Sequence, residues 1–156
     1  MTDLADIIDA RAILPSVKAQ GKKQLLQELA QAIAKFVGID YRIIFETLLT
    51  REKLGSTGIG QGIAIPHSKL PSINRVYGLF ARLSTPIEYD SLDGQPVDLV
   101  FVLLAPNHAG ADHLKALARL SRLLREPDTI AKLRGTDTAE GLYSILTQPT
   151  ATVSAA

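Results

Sequence analysis

The fold turns on seventeen residues, Arg51-Glu52-Lys53-Leu54-Gly55-Ser56-Thr57-Gly58-Ile59-Gly60-Gln61-Gly62-Ile63-Ala64-Ile65-Pro66-His67. Four glycines fall within the eight residues Gly55 to Gly62, a density that implies positive φ values or close backbone approach. Ile63 to Ile65 reads as a short apolar strand that Pro66 ends. His67 is therefore expected at the C-terminal end of a strand, on a rigid base.

Upstream the pattern is helical. From Lys22 to Val37 the residues Leu25, Leu26, Leu29, Ile33, Phe36 and Val37 recur at steps of three and four, which predicts one buried helix face, and Gly38 ends it. Asp40 has the chemistry of an N-cap for a second helix, Tyr41 to about Leu54, with Ile44 and Leu48 turned inward. Downstream the pattern becomes strand-like. Val76 to Leu83 and Ile87 to Tyr89 read as strands, Asp93-Gly94 as a tight turn, and the apolar run Val97 to Ala105 as a strand covered on both faces. Asp112 is expected to cap a helix from His113 to Arg125, with Leu114, Leu117, Ala118, Ser121 and Leu124 inward and Lys115, Arg119 and Arg122 on a solvated face. A short helix from Asp128 to Leu133 follows. An Asp137/Glu140 capping box then opens a last helix, to about Leu146. The succession predicts an α/β fold, a mixed β-sheet flanked by helices, as one domain over residues 1–147 with a disordered C-terminal tail at 148–156.

Composition narrows the functional classes. The chain has 156 residues, 46% of them hydrophobic, with 17 basic side chains against 16 acidic, which suits one globular domain. A net charge of +1 gives no field for nucleic acid or an anionic membrane surface, and no apolar run is long enough for membrane insertion. The acidic start, Met1-Thr2-Asp3-Leu4-Ala5-Asp6, lacks the pattern of a secretion signal, so a cytoplasmic protein is expected. No cysteine is present, which removes disulfides, thiol nucleophiles and every Cys-based metal site.

The glycine loop invites a nucleotide reading that its spacing refuses. Gly55-x4-Gly60 is followed by Gln61-Gly62 where a phosphate-binding loop needs Lys and Ser or Thr, and no third glycine completes a dinucleotide fingerprint. His108 and His113 stand five apart, the wrong spacing for two ligands on one helical face, so no metal is expected. His108 reads as an exposed loop histidine. His67 is different, because Arg51 and a loop rich in backbone N–H groups precede it. A neutral imidazole is a competent nucleophile, and cations and N–H donors offset the charge of a phosphoryl group held on it.

The segment from Arg51 to His67 closely resembles the active-site segment of IIA proteins of the bacterial phosphoenolpyruvate-dependent phosphotransferase system. The resemblance is to the mannitol/fructose type and, within it, to the nitrogen-regulatory branch, IIA-Ntr. Thr85-Pro86-Ile87, the run Asp93-Gly94-Gln95-Pro96-Val97-Asp98-Leu99-Val100-Phe101 and His113-Leu114 extend it over residues 4 to 147. One departure is Ser68 in Ser68-Lys69-Leu70, where Gly-Lys-Leu is the expected pattern.

The resemblance implies the single-domain fold of that family and a phosphotransferase component that works through a phosphohistidine. His67 would be the phosphoryl acceptor, as tele-phosphohistidine. His113 would position or stabilise the phosphate, Arg51 would stabilise it, and Ser56 and Thr57 would give polar support from the loop. The implied donor is an HPr-like phosphocarrier (NPr), with regulatory target proteins downstream, no cofactor and no assigned oligomeric state. An alternative is a fructose/mannitol-type sugar component that passes phosphate to a separate IIB domain.

Overall fold

A computed structural model describes residues 4–108 and 110–148. A short helix α1 (Leu4–Ile7) leads into strand β1 (Ile8–Val17), and helices α2 (Lys22–Val37) and α3 (Tyr41–Lys53) follow. Strands β2 (Gly58–Gly60), β3 (Ile63–Ala64), β4 (His67–Leu70), β5 (Tyr77–Ile87) and β6 (Val97–Pro106) come next, then α4 (Gly110–Leu123), α5 (Pro127–Arg134) and α6 (Ala139–Thr147). The strands form one mixed sheet in the order β1-β5-β6-β3-β2, with β4 also on β6. The expected mixed α/β architecture is what the chain adopts. No described helix is long and apolar enough to cross a membrane.

The apolar run that the sequence marks as doubly covered is the spine of this sheet. Every residue of β6 except Asp98 is buried, and β5 runs antiparallel along one of its edges. Its other edge takes β3 and then β4, both parallel, with Ile63 opposite Leu99 and His67 opposite Leu103. Between these two short strands the Leu103 N–H donates to the Pro66 carbonyl at 2.9 Å. Ile63 to Leu70 is thus one extended segment laid along β6, interrupted where proline offers no N–H.

Helix α2 buries Leu25, Leu26, Leu29, Ala30 and Ile33, the expected stripe, and ends at Gly38 with φ +79°. Its neighbour α3 starts as expected at Asp40, whose carboxylate accepts from the Arg42 N–H at 2.9 Å. Hydrogen bonding to the Arg42 side chain, then to its backbone, holds the Asp40 carboxyl at about 2.

Several expectations need correction. His67 opens a strand rather than closing one, because Pro66 interrupts pairing and the polar run His67-Ser68-Lys69-Leu70 resumes it. Strands expected at Val76–Leu83 and Ile87–Tyr89 are a single strand, β5, and the register shift between Arg82 and Ile87 marks the join. Strand β1 gave no sequence signal, since Asp9, Arg11 and Pro15 interrupt its apolar alternation at the edge of the sheet. Helix α4 begins at Gly110, so Asp112 lies within it rather than ahead of it. Its buried stripe is His113, Ala116, Leu120 and Leu123; Leu124, expected inward, is buried just beyond the helix, whereas Ala118 is exposed and Leu114 is 68% exposed. The leucine had set the wrong phase. Beyond Gln148, the expected tail lies outside the described residues.

The glycine-rich stretch makes a hairpin. β2 and β3 pair antiparallel, with Gly60 opposite Ile63, and the two connecting residues, Gln61 and Gly62, have φ of +59° and +82°. Two consecutive positive φ values are the signature of the tight hairpin turn whose twist matches its strands. Both ends of Gln61 are held: Asp93 accepts from its N–H at 2.9 Å, and Arg134 donates to its carbonyl at 2.5 Å. Arg134 also pairs with Asp98 through Nε and Nη2, both at 2.9 Å. Its own carbonyl accepts from Arg82, which reaches Pro15 of β1 as well.

The last helix is capped one residue later than expected, by Thr138, whose hydroxyl accepts from the Gly141 N–H at 3.1 Å. Thr138→Ala is therefore expected to lower stability by about 1 kcal/mol in urea unfolding. Asp137→Ala, at a residue that caps nothing, should change it by less than about 0.5 kcal/mol.

Candidate functional site

Two histidines separated by 46 positions meet where β4 opens and α4 makes its first turn. The rings of His67 and His113 lie edge to face, with centroids 5.8 Å apart. His67 is half-buried, and its Nδ1 lies 2.7 Å from the carbonyl oxygen of Ile65. A carbonyl can only accept, so Nδ1 carries the proton and the lone pair sits on Nε2.

His113 is buried, at 7% exposure, and its Nε2 has no hydrogen-bond partner. Burial first, then the charges of His67 and Lys69, push its pKa below the ordinary imidazole value. Lys69 stands two residues after His67 on an extended strand, hence on the same side of β4. The site therefore combines a nucleophilic nitrogen, a buried imidazole with an unused nitrogen, and a nearby cation. Such a set suits an anion held between the rings.

The other expected site residues are arranged differently. Arg51, in the last turn of α3, donates from Nη1 to the Gly55 carbonyl at 2.9 Å, so its head lies over the start of the glycine stretch. It also lines a cleft of about 440 Å³ with Ile43, Thr47, Thr50, Leu54 and Ser68. Ser68, next to His67 in the chain, brings that cleft to the edge of the site, and Leu54 on its wall is 81% exposed. The hydroxyls of Ser56 and Thr57 already have partners inside the fold. Ser56 Oγ donates to the Tyr89 carbonyl at 3.0 Å and accepts from the Gly58 N–H. Thr57 Oγ1 donates to Glu52 and lies 3.2 Å from the Tyr89 hydroxyl. The loop amides counted on as free donors are largely engaged too, those of Gly55, Thr57, Gly58 and Gln61 all donating within the chain. His108 is exposed, as expected. Among the described residues no group of three or more His, Asp and Glu side chains is arranged to hold a metal ion.

Sequence reading missed Glu52. It is 7% exposed, and its carboxylate accepts from Lys22 Nζ at 3.1 Å, the Thr57 N–H at 3.2 Å and the Tyr89 hydroxyl at 3.1 Å. A signal existed: Ile44, Leu48 and Glu52 follow at steps of four, which places a carboxylate on the buried face of α3. Tyr89 is held protonated by burial and by the charge of Glu52, which push its pKa above the usual phenol value.

Comparison with known proteins identifies the family. Residues 6–148 match the family described as phosphoenolpyruvate-dependent sugar phosphotransferase system, EIIA 2. A nitrogen regulatory protein from Bradyrhizobium diazoefficiens is 56% identical over 151 residues, covering 97% of this chain and 99% of the relative. The crystal structure of nitrogen regulatory protein IIA-Ntr from Neisseria meningitidis superposes with a TM-score of 0.88 at 34% identity, covering 92% of this chain and 99% of that one. IIA mannitol from Escherichia coli gives a TM-score of 0.75 at 20% identity, covering 88% and 97%, a likeness of fold alone.

The lowered His113 pKa has a thermodynamic consequence. An unfolded chain takes up this proton near pH 6.5, whereas the folded protein resists it until lower pH. Stability should therefore fall as pH drops from 6.5 through the folded value, and His113→Gln should flatten that part of the profile. Urea unfolding across pH 4.5 to 8 measures both.

Proposed function

The chain belongs to the EIIA 2 family of the phosphoenolpyruvate-dependent sugar phosphotransferase system, of the nitrogen-regulatory type, and on that premise we propose that it carries a phosphoryl group on Nε2 of His67. The observation that carries the reading is the bond from Nδ1 to the Ile65 carbonyl, which leaves Nε2 as the nucleophile. The donor is a phosphohistidine of an HPr-like carrier. Nε2 attacks phosphorus in line, the donor's N–P bond breaks, and the donor imidazole leaves with the bonding pair. No proton needs to move, because Nδ1 keeps its hydrogen throughout. The positive charge that the ring acquires is stabilised by the Ile65 carbonyl dipole 2.7 Å away.

His113 complements the product. Its Nε2, without a partner in the resting protein, donates to a phosphoryl oxygen, and the arriving negative charge reverses the bias against protonation. Arg51 and Lys69 supply further positive charge at the margin. Ser56 and Thr57 act by shaping the loop that carries them rather than by contact with phosphate, given their internal partners. The exposed Ile43 and Leu54 beside Ser68 offer apolar area on which a carrier protein docks. The phosphocarrier unit is taken as residues 1–147.

Regulation of partner proteins follows from charge. A phosphoryl group adds roughly −1.5 to −2 at neutral pH, enough to reverse the sign of a chain whose net charge is +1. A sugar-uptake role is not favoured, since identity to a nitrogen-regulatory relative reaches 56%, against 33% for a fructose-specific EIIABC component.

Incubation with phosphoenolpyruvate, the first enzyme of the system and an HPr-like carrier should yield acid-labile, alkali-stable phosphate on this protein. His67→Ala should abolish the label, and unchanged labelling would overturn the acceptor assignment. His113→Gln should slow transfer by about a hundredfold, the loss expected for one oriented donor to a charged oxygen.

A further inference from the structure

Glu52 lies outside the reacting centre, yet an unbroken series of hydrogen bonds joins it to the acceptor ring. Its Oε1 accepts from the Thr57 N–H at 3.2 Å, and its Oε2 accepts from the Thr57 hydroxyl. The Thr57 carbonyl accepts from the Ile65 N–H at 3.0 Å, extending the β2–β3 pairing by one step at its open end. The Ile65 carbonyl accepts from Nδ1 of His67 at 2.7 Å. We infer that Glu52 is a positioning residue for phosphoryl acceptance: it draws Thr57 to the end of α3, Thr57 sets Ile65, and Ile65 fixes the tautomer and tilt of His67.

The inference rests on the reading of His67 as acceptor and adds a residue to it. Three observations set Glu52 apart from a simple helix-to-loop tie. Its carboxylate is buried yet fully coordinated, by Lys22 and Tyr89 on one side and Thr57 on the other. Lys22 is itself fixed, with Nζ 4.5 Å from the centroid of the Tyr89 ring. A carboxylate restrained from both sides cannot follow Thr57 if the hairpin shifts, so the hairpin must conform to it. The Ile65 carbonyl, in turn, points to the edge away from β6, the same edge as its own N–H, where the bond that holds the residue is the one to Thr57. Its aim depends on the Thr57–Ile65 bond. Which nitrogen of an imidazole bears the proton is decided by the bond that the other makes. Loss of the Ile65 acceptor would therefore let the proton move to Nε2 and remove the nucleophile.

Two variants separate reach from charge. Glu52→Asp keeps the charge opposite Lys22 but withdraws the carboxylate by one methylene, beyond the Thr57 N–H. Glu52→Gln loses the charge but keeps an oxygen acceptor at the same reach. The first readout is the His67 tautomer, by ¹⁵N NMR of the purified full chain at pH 8. Wild type and Glu52→Gln should hold the proton on Nδ1, and Glu52→Asp should show a mixture of tautomers. The second is transfer from a phosphorylated HPr-like carrier. Glu52→Asp should lose about ten- to a hundredfold in kcat, the scale of a displaced reacting group, with KM for the carrier unchanged. A wild-type tautomer and rate in Glu52→Asp would overturn the inference, and so would equal losses in both variants.

A third measurement needs no substitution. Protonating His67 strengthens its bond to Ile65, so the Ile65 and Thr57 amide signals should move with the His67 titration; indifference of these signals would overturn the series even if Glu52→Asp does not fold. Absence of phosphoryl transfer in wild type, with the tautomer pattern as expected, would instead count against the acceptor reading alone.

Discussion

Strand β6 has both faces covered and both edges occupied, and the rest of the molecule is arranged around that constraint. A strand buried on both faces and paired on both edges cannot slide without unseating close-packed side chains on both faces and breaking two ladders of hydrogen bonds. Its register with β4 is therefore fixed, and with it the level at which His67 stands opposite Leu103. The His67 ring inherits its placement from a strand that is apolar except at Asp98. Placing an imidazole on such a base, rather than on a free loop, restricts its motion.

The second ring arrives by a different route. Helix α4 presents His113 as the first member of a stripe continued by Ala116, Leu120 and Leu123, so packing that holds the helix also holds the imidazole. One nitrogen of that ring remains without a partner, an unfavourable arrangement in a buried setting. On the proposed function the same nitrogen gains an anionic acceptor when His67 carries a phosphoryl group, and part of the affinity for phosphate then lies in repairing that deficit.

Much of this was legible in the residues. The 3.6-residue period of α2, the Asp40 cap and the continuous apolar run of β6 each follow from local pattern, and each stands where that pattern places it. The segment from Arg51 to His67, with His113-Leu114, singled out the two histidines whose rings the fold brings together. Illegible features depend on partners distant in the chain. Arg134 reaches Gln61 and Asp98, and Arg82 reaches Pro15 and the Arg134 backbone, contacts that no window of sequence contains. Strand β1 is set by pairing with β5 and not by its own alternation. Leu114 misled for a related reason: hydrophobicity alone ranks leucine above histidine for burial, while the site required the imidazole inside. Ser56 and Thr57 are polar residues in the right stretch whose hydroxyls the fold uses for itself.

The interruption at Pro66 bears on how this protein behaves in a crowded cell. β4 is four residues long, hydrogen-bonds in the sheet only with β6, follows a residue that has no N–H and carries the exposed Lys69. A short, proline-headed, charged edge is a poor template for a strand from another chain. The segment that leaves an imidazole accessible for chemistry therefore also resists edge-to-edge self-association. On the proposed function, His67 can stay open to a carrier protein at this edge without inviting a strand from another chain.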